Sequence, residues 1–505
     1  MAIELSQEQL DFARFLKEDK CRSAVLFGYA GTGKTLITKR IPTILELDED
    51  CVILLSMCTM AGAQAGFKSF YSYLGAGLIE SKDSLQSVLS RVGQNHPAMA
   101  RMRGAKVVVI DNVSQLSSRN FNFLDGVLRS VRINSEPFGG VRLILIGDMF
   151  SIPPAFDLNG IDSDELETVE DKLDRSFFFC DQELWHKLNP RPFFFEKIHR
   201  TQDLELQRLW IAVGETGLAT PGMINLLKSR QLADFDVRRM FASRELNRMC
   251  IATSNRRVDS LRAYIMHDRV TKKFVADDSF SLEGKIAPSE LKIKLELNTE
   301  VEMVQGSVVV MKKNAVVRVQ ATVDLYVSGR PGESFEVHLR KGDLAVVESF
   351  VSLKRMNQGN QAGRTLWGEF HGGDNFMGVC LKTSHGYMHC GIVTERVGDA
   401  LSGILSRKQF PFEVAPVNTS HKCIGLNLEY IYAAVNENHL FLWGQFYTII
   451  TRVSRLVDMV IDHNADVIRM VSRGPHPAVK MLYSELFPRR QFRWRSIGIK
   501  RAVTE

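Results

Sequence analysis

Over the first two hundred residues, short unbroken apolar runs alternate with longer stretches of helical period. The runs fall at 23–27, 51–56, 106–110 and 141–146, with 193–195 as a candidate fifth. A strand apolar at nearly every position is buried on both faces, which predicts a parallel sheet covered by helices. Strands alternating with helices in this way predict an α/β nucleotide-binding layout. A second set of runs at 249–253, 430–435 and 457–461 predicts another domain of the same kind. Between them the texture changes. Gly329-Arg330-Pro331-Gly332 and Gly372-Gly373 separate alternating segments such as 307–311 and 344–347. A small antiparallel β module inserted into the second α/β domain is therefore expected.

A chain of 505 residues exceeds one typical core, so several domains are expected. Its 45% hydrophobic and 24% charged residues fit an ordinary globular protein. No apolar run approaches the ~18 residues of a membrane span, and the first ten residues carry neither a secretory nor an organellar pattern. Eight cysteines without a CxxC pair fit a reducing intracellular compartment, cytoplasm or nucleus, and not a disulfide framework. The net charge of +6 permits a nucleic-acid partner without requiring one. Its distribution is more informative. Residues 489–501 interleave six Lys or Arg with Phe492 and Trp494, which suits a solvated tail, a nuclear address, or a segment that tracks phosphates and stacks bases. Residues 157–174 hold eight acids and are expected to form a surface loop.

The sharpest chemical signal is Gly28-Tyr29-Ala30-Gly31-Thr32-Gly33-Lys34-Thr35, placed between the first strand and a helical stretch. Glycines let backbone N–H groups converge on phosphate oxygens where a Cβ would intrude. Lys34 would neutralise the β/γ charge and Thr35 would offer a hydroxyl to Mg²⁺, with a helix N-terminus behind them. The cofactors expected are ATP and Mg²⁺, held by Gly28, Gly31, Thr32, Gly33, Lys34 and Thr35. Asp111, at the end of the run 106–110, is the expected carboxylate on the metal's other side.

Further motifs resemble those of the PIF/RecD-type helicases, the 5′→3′ branch of the first helicase superfamily. Leu5-Ser6-Gln7-Glu8-Gln9 resembles the segment whose Gln reads adenine, which implies Gln9 in that role. Gly28 to Thr35 matches the family's GxAGTGKT. Residues 56–66 stand where a strand-end motif touches single-stranded DNA. Glu136-Pro137-Phe138-Gly139-Gly140 and Gly147-Asp148-Met149-Phe150-Ser151-Ile152-Pro153-Pro154 are similar to PFGG and GDFFQLPP, and His199-Arg200-Thr201-Gln202-Asp203 implies Arg200 as a first arginine finger. His421-Lys422-Cys423-Ile424-Gly425-Leu426-Asn427-Leu428 stands where the family has HKSQGLTL. The segment from Gly444 to Val453 resembles GQVYVALSRA and implies Arg452 as the second finger.

This resemblance implies two RecA-like P-loop lobes with ATP between them, an inserted SH3-like antiparallel β module, and DNA lying across both lobes. The expected division is 1–205 for the first lobe, with a wedge-like insertion at about 70–105. The second lobe takes 206–300 and 410–470, the β module 301–409 and a basic tail 471–505. Lys68, His421 and Lys422 are the candidate nucleic-acid contacts. Single-stranded DNA or DNA junctions are the expected partners, RNA stays open, a membrane is not expected, and replication or repair proteins are candidate associates.

Three departures lie on the catalytic side. The family has Asp-Glu where this chain has Asp111-Asn112, Ser151 replaces a Gln near the γ-phosphate, and Ile424 replaces another Gln. An amide can hold a water but cannot take its proton at neutral pH. General acid–base groups are worth about 10²–10⁴ in rate, or roughly 3–5.5 kcal/mol, so hydrolysis weakened to that extent is expected, with Asp148 as a carboxylate able to substitute. Two functions remain open: an ATP-dependent helicase or translocase for replication, recombination or repair, and a degenerate relative that binds ATP and DNA without unwinding. Cys380, His385, His389 and Cys390 lack a zinc-knuckle spacing and are expected to be ordinary β-module residues. Trp185 is expected to anchor a core.

Overall fold

The computed structural model describes residues 5–77, 79, 83–154, 177–233, 235–241, 248–266, 417–435 and 442–496, together with the β-strands between 272 and 414. Two compact units are formed, one from residues 1–233, 251–254 and 419–505 and the other from 234–250 and 255–418.

The first unit is built on six strands, β1 (Ala24–Gly28), β2 (Val52–Ser56), β3 (Lys68–Ser69), β4 (Val107–Asp111), β5 (Arg142–Gly147) and β6 (Arg191–Phe195). They are parallel and ordered β3-β2-β4-β5-β1-β6. Every residue of β1, β4 and β5 is buried, as uninterrupted apolar runs require. Helices α1 (Gln7–Glu18) and α2 (Lys34–Leu45) carry apolar residues four apart, Phe12 with Leu16 and Ile37 with Ile41. These pack on Leu26, Val109 and Ile146 of the sheet. Each such side chain contributes about 1.5–3 kcal/mol on burial. The sheet therefore fixes the ends of β1, β4 and β5, where the chemistry-bearing residues follow.

Later in the same unit, strands Tyr430–Ala434 and Met459–Ile461 pair in parallel. Between them helix Gln445–Ile450 is buried at all six positions. Helix Pro477–Leu486 then leads into the last described segment. There the described part of the basic stretch, to residue 496, departs from the solvated-tail and base-stacking expectations. Phe492 and Trp494 are buried, and they stack on each other with centroids 4.3 Å apart. Interleaved aromatics in this chain serve a core and not a solvated tail or a base-stacking strip. Trp185 is buried against Phe178, the expected anchor.

The second unit contains helix Asn255–Met266, which buries Val258, Leu261 and Ile265 on one stripe. Its described strands between 272 and 414 pair antiparallel. Gly386–Cys390, Met377–Thr383, Leu344–Ser352, Val308–Met311 and Phe412–Val414 form one sheet in that order. Val393–Asp399, Gly403–Gln409 and Asp277–Ser281 form another. In the latter, Arg407 lies directly opposite Asp278 and donates to both its carboxylate oxygens at 2.7 Å. The expected α/β class with parallel sheets and an antiparallel β module is thus the observed one. The acidic stretch 157–174, the glycine turns at 329–332 and 372–373, and the side chains of Cys380, His385, His389 and Cys390 lie outside the described residues. No described helix is long and apolar enough to cross a membrane.

Candidate nucleotide-binding site

The loop after β1 takes the shape its glycines permit. Gly31 and Gly33 have φ of +77° and +85°, in the left-handed region that side chains resist. A Cβ on Gly31 would come within 2.5 Å of the Cβ of Arg200, and one on Gly33 within 2.5 Å of Gln9 Nε2. The carbonyl of Gly31 accepts from the backbone N–H groups of His199 and Arg200, at 2.8 and 3.2 Å. Gln9 is buried, donating to Thr32 O at 3.2 Å and accepting from Ser6 N–H at 3.1 Å. The residues expected around the phosphates, Gly28, Gly31, Thr32, Gly33, Lys34 and Thr35, therefore form one loop with Gln9 and Arg200 against it.

Lys34 folds back on this loop. Its ammonium donates to Gly28 O at 2.8 Å, Tyr29 O at 2.6 Å and Thr32 Oγ1 at 3.3 Å. Burial lowers its pKa to about 8, against the opposing pull of Asp148 and Asp111. The exposed Thr35 donates its hydroxyl to Asp111 Oδ2 at 3.0 Å. A hydroxyl and a carboxylate meeting at the mouth of a glycine cradle are the donor set that a phosphate-bound magnesium ion takes. The residues present thus fit magnesium and a nucleoside triphosphate. Burial raises the pKa of Asp111 and of Asp148, while Lys34 pulls each the other way.

Arg200 and Arg452 converge on one residue, Thr451. Arg200 Nη1 donates to its carbonyl at 2.7 Å and Arg452 Nη2 to its hydroxyl at 2.7 Å. Arg452 also donates to Thr448 O at 2.7 Å, Leu426 O at 3.2 Å and Cys423 O at 3.4 Å. Burial and then repulsion by Arg452 bring the pKa of Arg200 down to about 9. Between arginines and loop stands Tyr447. Its hydroxyl donates to Asp148 Oδ2 at 2.7 Å and accepts from the Ala30 N–H at 3.0 Å. Lys34, Arg200 and Arg452 thus share a neighbourhood with Asp111 and Asp148, and its balance of charge favours an anion.

The departures have structural partners. Asn112 sits at φ +58°, a conformation that asparagine tolerates better than glutamate does. Its amide donates to Ser56 Oγ at 3.1 Å. Gly425 lies against the same side chain: a Cβ there would come within 2.8 Å of Asn112 Oδ1 and of Ala61 Cβ. Ser151 and Ile424 are both buried. Of the candidate nucleic-acid contacts, Lys68 and Lys422 are exposed. His421 is largely enclosed, donates to the Pro153 carbonyl and has its pKa lowered by burial to about 4, so it is neutral at physiological pH.

Sequence reasoning did not single out Tyr447, Tyr29, Ser56, Glu215 or Arg490. Tyr447 lay inside a quoted motif, and its position as the sole ionisable group between Gly444 and Thr451 was a usable signal. Glu215 and Arg490 carried none.

Residues 4–176 match the PIF1-like helicase family. The chain is 25% identical to ATP-dependent DNA helicase PIF7 of Trypanosoma brucei brucei, over 95% of this chain and 47% of that protein. It is 27% identical to ATP-dependent DNA helicase PIF1 of Candida albicans, over 34% of this chain and 18% of that protein. The chain thus spans about half or less of the length of these relatives. Its fold resembles the crystal structure of Pif1 helicase from Candida albicans, with a TM-score of 0.74, 18% identity and coverage of 96% of this chain and 100% of that one. A Bacteroides Pif1 helicase in complex with ADP-AlF3 and single-stranded DNA gives a TM-score of 0.64 at 19% identity, covering 96% and 98%. The resemblance to PIF/RecD-type helicases is borne out by the family match and by the fold.

Proposed function

We propose that this chain is an ATP-dependent motor of the PIF1 type that moves 5′→3′ on single-stranded DNA and hydrolyses ATP slowly. The observation that carries this is the convergence of Lys34, Thr35, Asp111, Asp148, Arg200 and Arg452 on one glycine-lined loop. When bound, magnesium ATP supplies the phosphoanhydride whose cleavage powers movement. The protein's own groups bind and orient. Lys34 would exchange loop carbonyls for phosphate oxygens, Thr35 and Asp111 would hold the metal, and Gln9, packed against Gly33, would be the residue nearest the adenine. Arg200 and Arg452 would supply positive charge to the phosphate oxygens as negative charge builds there, which is worth far more in an enclosed site than in water.

On this reading, residues 1–205 are the ATP-binding lobe, and 206–300 with 410–470 are the second lobe, interrupted by the β module of 301–409. Lys68 and Lys422 would lie along the DNA. Slow hydrolysis follows from Asn112, whose amide is engaged by Ser56 and has no basic oxygen to offer a water proton. Asp148 is the remaining carboxylate near Lys34, and burial raises its pKa in the direction a base needs. Work in replication, recombination or repair fits such a motor.

The second reading is an ATP-gated DNA-binding protein without turnover, and the same amide–serine bond favours it. One assay separates the two: DNA-stimulated phosphate release by wild type, Lys34→Ala and Asn112→Glu. Stimulation that disappears in Lys34→Ala supports the motor. A silent wild type that Asn112→Glu awakens supports the gated binder. Absence of single-stranded DNA binding, with or without nucleotide, defeats both.

A further inference from the structure

The side chain of Tyr29 and the carbonyl of Tyr29 serve two different partners. The carbonyl accepts from Lys34 Nζ at 2.6 Å, on the phosphate side of the loop. The ring is buried on the other side, stacked on Phe150 at 5.6 Å and 14°. Its hydroxyl donates to the Glu215 carboxylate and accepts from Arg490 Nη2 at 3.1 Å. Arg490 is itself held in place: it pairs with Glu196 and lies 4.0 Å from the ring centroid of Phe194 and 4.9 Å from that of Phe492. The other Glu215 oxygen accepts from the Arg493 N–H at 2.8 Å.

The same C-terminal segment also reaches the Asp148 side. Tyr483, Phe492 and Trp494 are stacked nearly parallel, and Trp494 meets Phe150 edge-on at 6.1 Å. The Tyr483 hydroxyl accepts from the Met149 N–H at 3.3 Å. Phe150 N–H in turn donates to Asp148 Oδ1 at 3.1 Å. One strap, residues 483–494, thus touches the residue whose carbonyl holds Lys34 and the two residues that follow Asp148.

We infer that this strap is a positioning element for nucleotide binding, acting through Arg490 on Tyr29 of the loop. It sets the loop carbonyls that park Lys34, and with them the place from which the ammonium meets phosphate. A buried tyrosine tied to a carboxylate and an arginine has one orientation available, and so has the backbone attached to it. The inference rests on the nucleotide reading given above.

The test is calorimetric titration of magnesium ATP into full-length wild type, Tyr29→Phe, Arg490→Ala and Arg490→Lys, beside thermal unfolding without nucleotide. Tyr29→Phe keeps the ring on Phe150 and removes only the hydroxyl. It is expected to weaken binding about tenfold, beyond the fall of a few degrees in unfolding temperature that losing one buried hydrogen bond to a charged partner brings. Arg490→Ala should do at least as much, and Arg490→Lys should recover part of the loss. Unchanged affinity in Tyr29→Phe overturns the inference, even if Arg490→Ala fails to fold. So does a loss of affinity that tracks loss of stability across the set. A wild type that binds no nucleotide sinks the underlying reading instead.

Discussion

The two residues of the Asp111-Asn112 pair have different kinds of partner. On the Asp111 side the groups that would hold phosphate and metal lie together, with the Thr35 hydroxyl on the carboxylate and Lys34 close enough to pull on its pKa. On the Asn112 side, one residue away, the amide is spent on Ser56 and crowds Gly425. Neighbouring positions on one strand end thus carry different constraints. Binding a nucleotide would need charge and shape, which the first side offers on the proposed function. Cleaving it would need a proton acceptor, and on the second side the side chain is a neutral amide bonded to Ser56.

The largest expected effect probes the cations that close the site. Arg200→Ala should lower DNA-stimulated ATP turnover about 10³-fold, the worth of an arginine finger, while single-turnover binding is largely kept. A small loss would place Arg200 among structural residues. The sharpest probe of the contrast is Asn112→Glu, which should raise turnover about 100-fold if the missing base is what limits it. No gain would move the limitation elsewhere, with Asp148→Asn as the next measurement. Lys34→Ala should weaken magnesium ATP binding by about 10–100-fold, as expected for removing a charged hydrogen-bonding group from the phosphates. Titration calorimetry reads this directly.

The smallest effect comes from pH, and its sign differs for binding and stability. The folded pKa of Lys34 is about 8, below its ordinary 10.5. The charged form needed by phosphate is therefore lost as pH rises through 8, and affinity should fall up to about tenfold between pH 8 and 9. Between 8 and 10.5 the unfolded chain holds the extra proton, so this lysine's contribution to stability rises over that window. Affinity measured at pH 7, 8 and 9 beside chemical unfolding over the same range would reveal the opposite trends. Parallel trends would remove Lys34 as the titrating group.

Much of the fold was legible because its signals are local. The run at 106–110 became Val107–Asp111 and that at 430–435 became Tyr430–Ala434, each within a residue at either end. Uninterrupted apolarity marks a doubly buried strand whatever surrounds it. The loop and its lysine were legible for the same reason, since eight consecutive residues carry the chemistry. Long-range partners were not. Tyr29 and Arg490 meet across 461 positions, and nothing in the basic, aromatic segment near Arg490 distinguishes a solvated strip from a core wedge. Asn112 could be recognised as a departure, but its serine partner at position 56 depends on β2 lying beside β4. Pairing of that kind is a property of the sheet and not of either strand.

Gly425 has a consequence for how signals cross this molecule. Its missing side chain lets a turn of the motif that begins at His421 rest directly on Asn112 and Ala61. If that motif grips a nucleic-acid strand, news of the grip travels one van der Waals radius to reach the acid–amide pair. No lever, hinge or relay is needed over so short a span. Communication here would be by mutual exclusion: the two surfaces cannot both advance, so whichever moves first dictates the position of the other.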